Sequence, residues 1–193
     1  MKITFWRVTA FFLLIALSIG FGFAFDAAMT AIERKNYPIE DSLAVAVRRE
    51  SEQYGIPEAI LWATMHTGSG FASNHVSSAG AIGLMQLTPA QFDFICTEVF
   101  EKEKMDAGML YDPATNLSAG SAYLSYLYTR YGVWEQVFAA YVAGTDTVDE
   151  WLKNPDCISP QGVLQNIPDK SVSAYVKSVK TAIDQYTKLY YHS

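Results

Sequence analysis

The sequence has little of what metal and redox centres are built from. Its 193 residues include only two cysteines and three histidines. No histidine lies close to Cys96 or Cys157 in the sequence. Neither a CxxC nor an HExxH motif occurs. Metal sites usually bring several such ligands together at short, recognisable spacings. We therefore expect no metal ion and no cofactor.

The two cysteines leave the question of a disulfide open. Outside the cytoplasm Cys96 and Cys157 could pair, and two separate thiols fit the sequence equally well. The spacing does not decide between these states.

Positive charge is also scarce. The chain carries 14 lysines and arginines against 20 aspartates and glutamates. Because Lys2 and Arg7 both precede Phe25, the chain after Phe25 has 12 basic and 20 acidic residues, a net charge of −8. This balance argues against a nucleic-acid partner and against a polybasic membrane-binding patch.

One long run, from Val8 to Phe25, contains no charged residue. Eighteen helical residues span about 27 Å, close to the thickness of a bilayer core. The basic residues before the run and Asp26 after it predict a cytoplasmic N-terminus and an outer C-terminal domain. The alternatives are a cleaved signal peptide, for which no clean A-x-A site is present, and a buried core helix. We expect an N-terminal membrane anchor or signal segment over 1–27.

The remaining residues, 28–193, show no linker, no repeat and no useful alternating strand pattern. Apolar residues recur at helical spacing, which predicts a single mainly α domain. Asp41 or Ser42 and Asn116 are candidate helix caps, and Gly55 and Gly132 are candidate helix ends. The segment 77–83 reads as a loop of small residues, and 154–168 is too interrupted to assign. The predicted helices run over 43–54, 57–68, 89–99, 116–131, 134–143, 148–152 and 172–190.

Local motifs in a fixed order carry a resemblance to a known family. They read IPEAILWATMHTGSGF, VSSAGAIGLMQLTP, AAYVAG and NIPDKSVSAYV. Together they resemble the catalytic domain of bacterial lytic transglycosylases, which is related to goose-type lysozyme, over the range 55–175. The resemblance implies a lysozyme-like helical fold with an open cleft. It also implies that the ligand is the glycan strand of peptidoglycan.

The same resemblance implies one catalytic glutamate. In the family it protonates the bridging oxygen between N-acetylmuramic acid and N-acetylglucosamine, and then acts as a base while a 1,6-anhydro ring closes. Such a group needs a carboxyl with a raised pKa in a poorly hydrated setting. Family members read E-S-G-F or E-S-S-F at this point, whereas this chain reads Gly68-Ser69-Gly70-Phe71. Glycine has no titratable side chain, so we predict no catalytic residue at position 68.

Other groups are poor substitutes for the missing carboxyl. Glu58 lies ten residues earlier, about 15 Å along one helix. His66 points to another side of the helix. Asp93 belongs to the next helix, and its reach is not fixed by the sequence.

Two further motifs depart from the family pattern. Val142 replaces the asparagine of A-A-Y-N-A-G, and Ser171 and Val172 replace a Glu-Thr pair in the last motif. In the family the asparagine and the glutamate are polar cleft residues. Three changes at separated positions favour a natural non-catalytic relative.

Other positions of the family cleft are retained. The resemblance assigns them to substrate binding, and each also has a structural alternative. Gln86 could serve only the loop, Met85 could be a core residue, and Tyr141 could simply pack with its hydroxyl satisfied. The predicted substrate-binding residues are Ser77, Met85, Gln86, Tyr141 and Tyr175.

Three hypotheses follow for the function. The first is a membrane-anchored, extracytoplasmic protein that binds peptidoglycan or a cell-wall protein without efficient cleavage. The second is an active lytic transglycosylase with a non-standard acid. The third is a structural remnant without affinity for glycan.

Overall fold

The computed structural model describes the backbone of residues 2–191, together with the side chains of Trp6, Ala10, Phe11, Leu13 and 17–191. The chain forms two compact units, 1–38 and 39–193. The first unit consists mainly of one helix, α1, Lys2–Asn36. Among the residues that the structure describes, no helix is both long enough and apolar enough to span a membrane. The predicted anchor run, 8–25, lies partly outside the described side chains.

The second unit is helical. No β-strand occurs within residues 2–191, where the extended pairings are isolated bridges such as Val76 with Ile82. The predicted mainly α class is therefore confirmed. Its α-helices are α2 Asp41–Tyr54, α3 Glu58–Ser69, α4 Pro89–Phe94, α5 Pro113–Tyr131, α6 Trp134–Ala143, α7 Thr145–Lys153 and α8 Lys170–Tyr190.

Short turns of other helix types join these elements. α4 continues as a π-helical turn over Ile95–Val99, and a 3-10 turn over Ala107–Tyr111 leads into α5. The unassigned segment before α8 contains a 3-10 turn over Pro155–Cys157 and one bridge between Ile158 and Leu164.

Helix α3 is the centre of the core. Every residue from Ala59 to Met65 is buried, and α3 packs against α8 and α2. α5 packs against α2 and α6. α8 buries Val172, Val176, Val179, Tyr186 and other residues at spacings of three and four, the stripe that its sequence predicts.

The start of α5 corrects a prediction. Asn116 is not a cap, because the helix begins at Pro113 and the carboxylate of Asp112 accepts a hydrogen bond from the Thr115 backbone N–H at 2.8 Å. An Asp-Pro pair combines a capping side chain with a residue that has no N–H to satisfy, so it starts the helix one turn earlier. Asn116 is fully buried inside the helix. The cap prediction for α2 was also wrong, since Asp41 and Ser42 both lie inside that helix.

The two cysteines are separate thiols. Cys96 lies in the π-helical turn and Cys157 in the 3-10 turn before α8, and both are buried and unbonded. Both therefore behave as small core residues.

Candidate functional site

A cavity of about 260 Å³ opens where the C-terminal end of α3 meets the 76–88 loop and the helices α6 and α8. It brings together Gly68 and four of the five predicted binding residues, Ser77, Gln86, Tyr141 and Tyr175. Its lining residues are Thr67, Gly68, Ser77, Ala79, Ala81, Gln86, Thr88, Gln91, Tyr141, Val142 and Tyr175.

Gly68 lies next to the side chain of Gln86, and both line this cavity. A Cβ added at Gly68 would lie 3.3 Å from Gln86 Cγ and 3.6 Å from Gln86 Cβ. The 3.3 Å contact is tight and Gln86 is anchored by two hydrogen bonds, so a larger residue at position 68 would require Gln86 to move by a few tenths of an ångström. The backbone of Gly68 is helical and needs no glycine.

The buried side-chain amide of Asn116 fixes the turn over 82–87. Asn116 Oδ1 accepts a hydrogen bond from the Met85 backbone N–H at 2.7 Å. Asn116 Nδ2 donates to the carbonyls of Ile82 and Leu110, at 2.9 and 2.8 Å. Because these backbone groups are buried, the bonds avoid a desolvation cost as well as joining the turn to α5.

Glycine is required at position 83 for two reasons, the positive φ of its backbone and the close approach of neighbouring atoms. Its φ is +80°, and an added Cβ would lie 2.2 Å from Asn116 Nδ2 and 2.5 Å from the Leu110 carbonyl oxygen. Only glycine fits both conditions.

Met85 is placed behind the cavity wall. Its side chain is 1% exposed and packs against Gly120 of α5, and it is not among the lining residues. Its backbone carbonyl accepts a hydrogen bond of 2.8 Å from the Tyr141 hydroxyl. In this structure Met85 therefore holds the wall in place, and its side chain does not reach the cavity.

Gln86 combines a strained backbone with an anchored side chain. Its φ of +53° is unusual for a residue other than glycine. Its Nε2 donates to the carbonyls of Gly83 and His75, at 2.8 and 3.1 Å. Such conformations persist only where the surrounding structure fixes them, and they cluster at functional sites.

The two tyrosines of the cavity are neutral hydrogen-bonding groups. Burial raises the pKa of Tyr141 well above its usual value, and the phenols of Tyr175 and Tyr123 raise it further. Burial also raises the pKa of Tyr175. Neither group can ionise at ordinary pH.

No carboxylate, imidazole, ammonium or guanidinium group lines the cavity. The three candidate substitutes have partners elsewhere. Glu58 Oε2 accepts a hydrogen bond from the Tyr191 hydroxyl at 2.9 Å, and Asp93 forms an ion pair with Lys104 at 2.7 Å. His66 Nδ1 lies 3.3 Å from the Tyr186 hydroxyl, and burial lowers its pKa.

The other departures from the family pattern lie in different places. Val142 lines the cavity and is 47% exposed, so it presents an apolar surface at the rim. Ser171 does not line the cavity. It lies one helical turn before Tyr175, where its hydroxyl donates to Asp169 Oδ1 at 2.6 Å. Val172 is a core residue, 4% exposed.

Sequence reasoning missed three polar lining residues, Thr67, Thr88 and Gln91. Thr88 and Gln91 form a capping box at the start of α4, and Gln91 Nε2 also donates to the Tyr141 carbonyl at 2.7 Å. The T-x-x-Q spacing directly after the GLMQL motif was the signal that could have placed them beside the cavity. Thr67 has no comparable signal beyond its position next to Gly68.

The arrangement offers hydroxyl and amide groups around a partly apolar space. It can hydrogen-bond a neutral polar ligand, such as a sugar with its N-acetyl group. It has no group that can give or take a proton at the cavity surface near neutral pH.

Comparisons with known proteins agree with this geometry. The family model of the transglycosylase SLT domain matches residues 45–159. The soluble lytic murein transglycosylase of Escherichia coli K12 is 32% identical over 138 residues, which are 70% of this chain and 21% of that protein. Membrane-bound lytic murein transglycosylase C of Pectobacterium atrosepticum is 31% identical over 166 residues, which are 74% of this chain and 46% of that protein.

The fold is shared as well. The X-ray structure of an inactive glutamate-to-glutamine mutant of the lytic transglycosylase Slt from Pseudomonas aeruginosa matches with a TM-score of 0.68 at 28% identity. The match covers 79% of this chain and 25% of that one. This chain thus spans less than half the length of these relatives, and its helical domain has the lysozyme-like transglycosylase fold.

The 82–87 turn generates a stability prediction with a matched pair of glycines. Gly80 has nearly the same φ as Gly83, +78°, but open space around a new Cβ. Gly80→Ala should cost about 1 kcal/mol of unfolding free energy from backbone strain alone. Gly83→Ala should cost roughly 2 kcal/mol more, because it also displaces Asn116 and Leu110. Urea unfolding followed by circular dichroism measures both, and equal losses would contradict the role assigned to the Asn116 contact.

Proposed function

Because this chain belongs to the transglycosylase SLT family, we propose that it binds the glycan strands of peptidoglycan and does not cleave them efficiently. The single observation behind this proposal is the cavity at Gly68, which keeps its hydroxyl and amide lining and has no carboxyl group. The family mechanism uses one group as both acid and base. Loss of general acid–base catalysis alone lowers the rate by about 10²- to 10⁴-fold.

An inactive mutant of the Pseudomonas relative supports this reasoning. There, exchange of one glutamate for glutamine accompanies inactivity. Glutamine keeps the size of the side chain, whereas Gly68 removes the side chain altogether. The change at Gly68 is therefore the larger loss of chemistry.

The retained geometry supports ligand binding over a structural remnant. The turn that carries Gln86 is fixed by Asn116, and Tyr141 spans from α6 to the Met85 carbonyl. A strained Gln86 backbone is costly to keep where nothing is bound. We expect the neutral sugar groups to contact Ser77, Gln86, Tyr141 and Tyr175.

We also propose that the segment 1–27 anchors the protein, with the helical domain on the outer side of the membrane. Apolar side chains of α1 are largely exposed, among them Phe21 and Phe23, each 74% exposed. A lipid environment would cover such side chains without a protein partner. The name of the Pectobacterium relative, a membrane-bound enzyme, is consistent with this location.

The cleavage prediction concerns purified peptidoglycan incubated with the full chain. We expect the protein to sediment with the peptidoglycan. We expect mass spectra to show no 1,6-anhydromuropeptides above the level of a control without the protein. Gly68→Glu alone should recover little activity because Val142 remains apolar. Gly68→Glu combined with Val142→Asn should recover more. Clear product release by the unaltered chain would revive the alternative of a non-standard acid.

The charge of the cavity generates a specificity prediction. Binding of chitotetraose, which has no titratable group, should be constant between about pH 5 and 8, because the tyrosines of the cavity have raised pKa values. The fully de-N-acetylated oligomer should bind at least about tenfold more weakly at about pH 6, because its ammonium groups would be buried without a counter-charge. Calorimetric titration measures both.

Gly68→Glu is the matched control for this experiment. A carboxylate at position 68 should narrow the preference for the N-acetylated oligomer and make binding depend on pH. A native chain that binds both oligomers equally would contradict the neutral-cavity interpretation.

The anchor prediction concerns fractionation of cells that express the full chain. We expect the protein in the membrane fraction, resistant to alkaline carbonate, and a chain lacking residues 1–27 in the soluble fraction. N-terminal sequencing of the full-length product separates an anchor from a cleaved signal peptide. Recovery of the intact full chain in the soluble fraction would be incompatible with an anchor.

A further inference from the structure

The cavity at Gly68 has room where a side chain would extend from this position. A Cβ added at Gly68 would meet only the side chain of Gln86, and no other atom beyond its chain neighbours and its own helix backbone lies within 4 Å of it. The space that such a side chain would enter is therefore bounded by Gln86 and otherwise open to the cavity. The proposed function leaves this space without an occupant.

The walls of the cavity are uncharged and partly apolar. Ala79, Ala81 and Val142 line it together with Gly68, and Val142 is 47% exposed. Val142 stands where the family pattern has asparagine, so the cavity has lost an amide as well as a carboxyl group. A ligand hydroxyl placed against these apolar side chains would give up its hydrogen bonds to water without gaining new ones.

Most polar groups of the cavity are already bonded to the protein itself. Gln86 Nε2 donates to two backbone carbonyls, and Gln91 Nε2 donates to the Tyr141 carbonyl. The Tyr141 hydroxyl donates to the Met85 carbonyl. These groups shape the walls, and their N–H and O–H donors are not available to a ligand.

Two hydroxyl groups of the cavity differ from the others. Among the described side chains, the Thr67 and Tyr175 hydroxyls have no hydrogen-bond partner, and both residues line the cavity. Thr67 is the chain neighbour of Gly68. Burial raises the pKa of Tyr175, so its phenol keeps its proton. Both hydroxyls can therefore donate to an acceptor oxygen on a ligand.

An acetyl ester on a sugar hydroxyl fits this combination of open space, apolar wall and unused donors. It carries a methyl group for the apolar wall and a carbonyl oxygen that accepts a hydrogen bond, and it has no charge. It also has fewer non-hydrogen atoms than the side chain of glutamate, so it is small enough for the space at position 68.

The chemistry of ring closure indicates which sugar hydroxyl reaches this space. A 1,6-anhydro ring forms through the 6-hydroxyl of the sugar. A base that takes up its proton must lie within hydrogen-bond reach, about 2.6–3.2 Å. A strand bound in the same way in this cavity would therefore bring the 6-hydroxyl of its muramic acid to the space at Gly68.

We infer that the cavity at Gly68 binds peptidoglycan whose muramic acid carries an acetyl ester at O6, in preference to unesterified strands. This inference rests on the proposed function and names the form of the glycan that the site prefers. The ester methyl lies against Val142, and the ester carbonyl accepts a hydrogen bond from Thr67 or Tyr175. Because the ester blocks the hydroxyl that closes the ring, such a strand suits a site that binds without cleaving.

The test compares chitotetraose with its 6-O-acetylated form, each titrated into the full chain in detergent by calorimetry. We expect the esterified oligomer to bind about three- to tenfold more tightly, the effect of one buried methyl group and one hydrogen bond. Equal affinities, or tighter binding of the unesterified oligomer, would overturn the preference.

Two substitutions in the cavity should remove the preference for different reasons. Gly68→Glu fills the space and provides an acceptor for a free 6-hydroxyl, so it should reverse the preference. Val142→Asn removes the apolar contact and should reduce the preference to less than about twofold. Val45→Asn is the matched control, because Val45 is 84% exposed on α2 and does not line the cavity. It should keep the preference of the native chain.

Circular dichroism shows whether each variant is folded, and Val142→Asn decides the question if Gly68→Glu fails to fold. A native-like preference in the folded Val142→Asn variant would contradict the inference. Binding of chitotetraose without any preference would overturn the ester site and leave the glycan proposal standing. Absence of binding to either oligomer would overturn both.

The polymer itself provides a second measurement. Mild alkali hydrolyses the esters of O-acetylated peptidoglycan and leaves its amide-linked acetyl groups in place. We expect less of the full chain to sediment with the treated polymer than with the untreated one. The same treatment of peptidoglycan without esters should change nothing. Equal sedimentation before and after removal of the esters would contradict the preference.

Discussion

The structure around the cavity depends on the buried side-chain amide of Asn116. Its one carboxamide forms hydrogen bonds with a backbone N–H and two backbone carbonyls that lie outside the α-helices. The turn it holds carries Gln86 into the cavity and presents the Met85 carbonyl to Tyr141. Glycine is needed at positions 83 and 120, because a Cβ at Gly83 would collide with Asn116 and a Cβ at Gly120 would collide with Met85. Loss of such an amide would take this partner from the Met85 N–H and the Leu110 carbonyl, at about 1–3 kcal/mol for each buried group left unpaired, while the Ile82 carbonyl would keep its hydrogen bond from the Leu87 N–H.

The sequence predicts the helices well and the polar core less well. Gly55 and Gly132 end their helices as expected, and the stripe on α8 predicts its buried face. Asn116 was misread because the residue types that cap helices are also those that bridge backbone groups in a core, and only burial separates these roles. The preference for a capping Asp followed by Pro at the first helical position indicates a start at Asp112 and Pro113, one turn earlier.

Predicting the cavity required the family motifs. Ser77, Gln86, Tyr141 and Tyr175 come from three separate segments, and no periodicity would have joined them. Met85 shows the limit of a motif, since its neighbour Gln86 lines the cavity while its own side chain packs on Gly120. Consecutive residues of a tight turn point in different directions, which the sequence alone does not show. Ser171 likewise lies on the face of Tyr175 without reaching the cavity.

The absence of a carboxyl at Gly68 changes how a bound strand would leave. In an enzyme, cleavage promotes dissociation, because each shortened product makes only part of the contacts that held the intact strand. In a cavity that only binds, the strand remains intact, and dissociation alone sets its residence time. On the proposed function, the lifetime of the attachment would therefore be set by the dissociation rate constant, and lateral movement along the wall would proceed by release and rebinding.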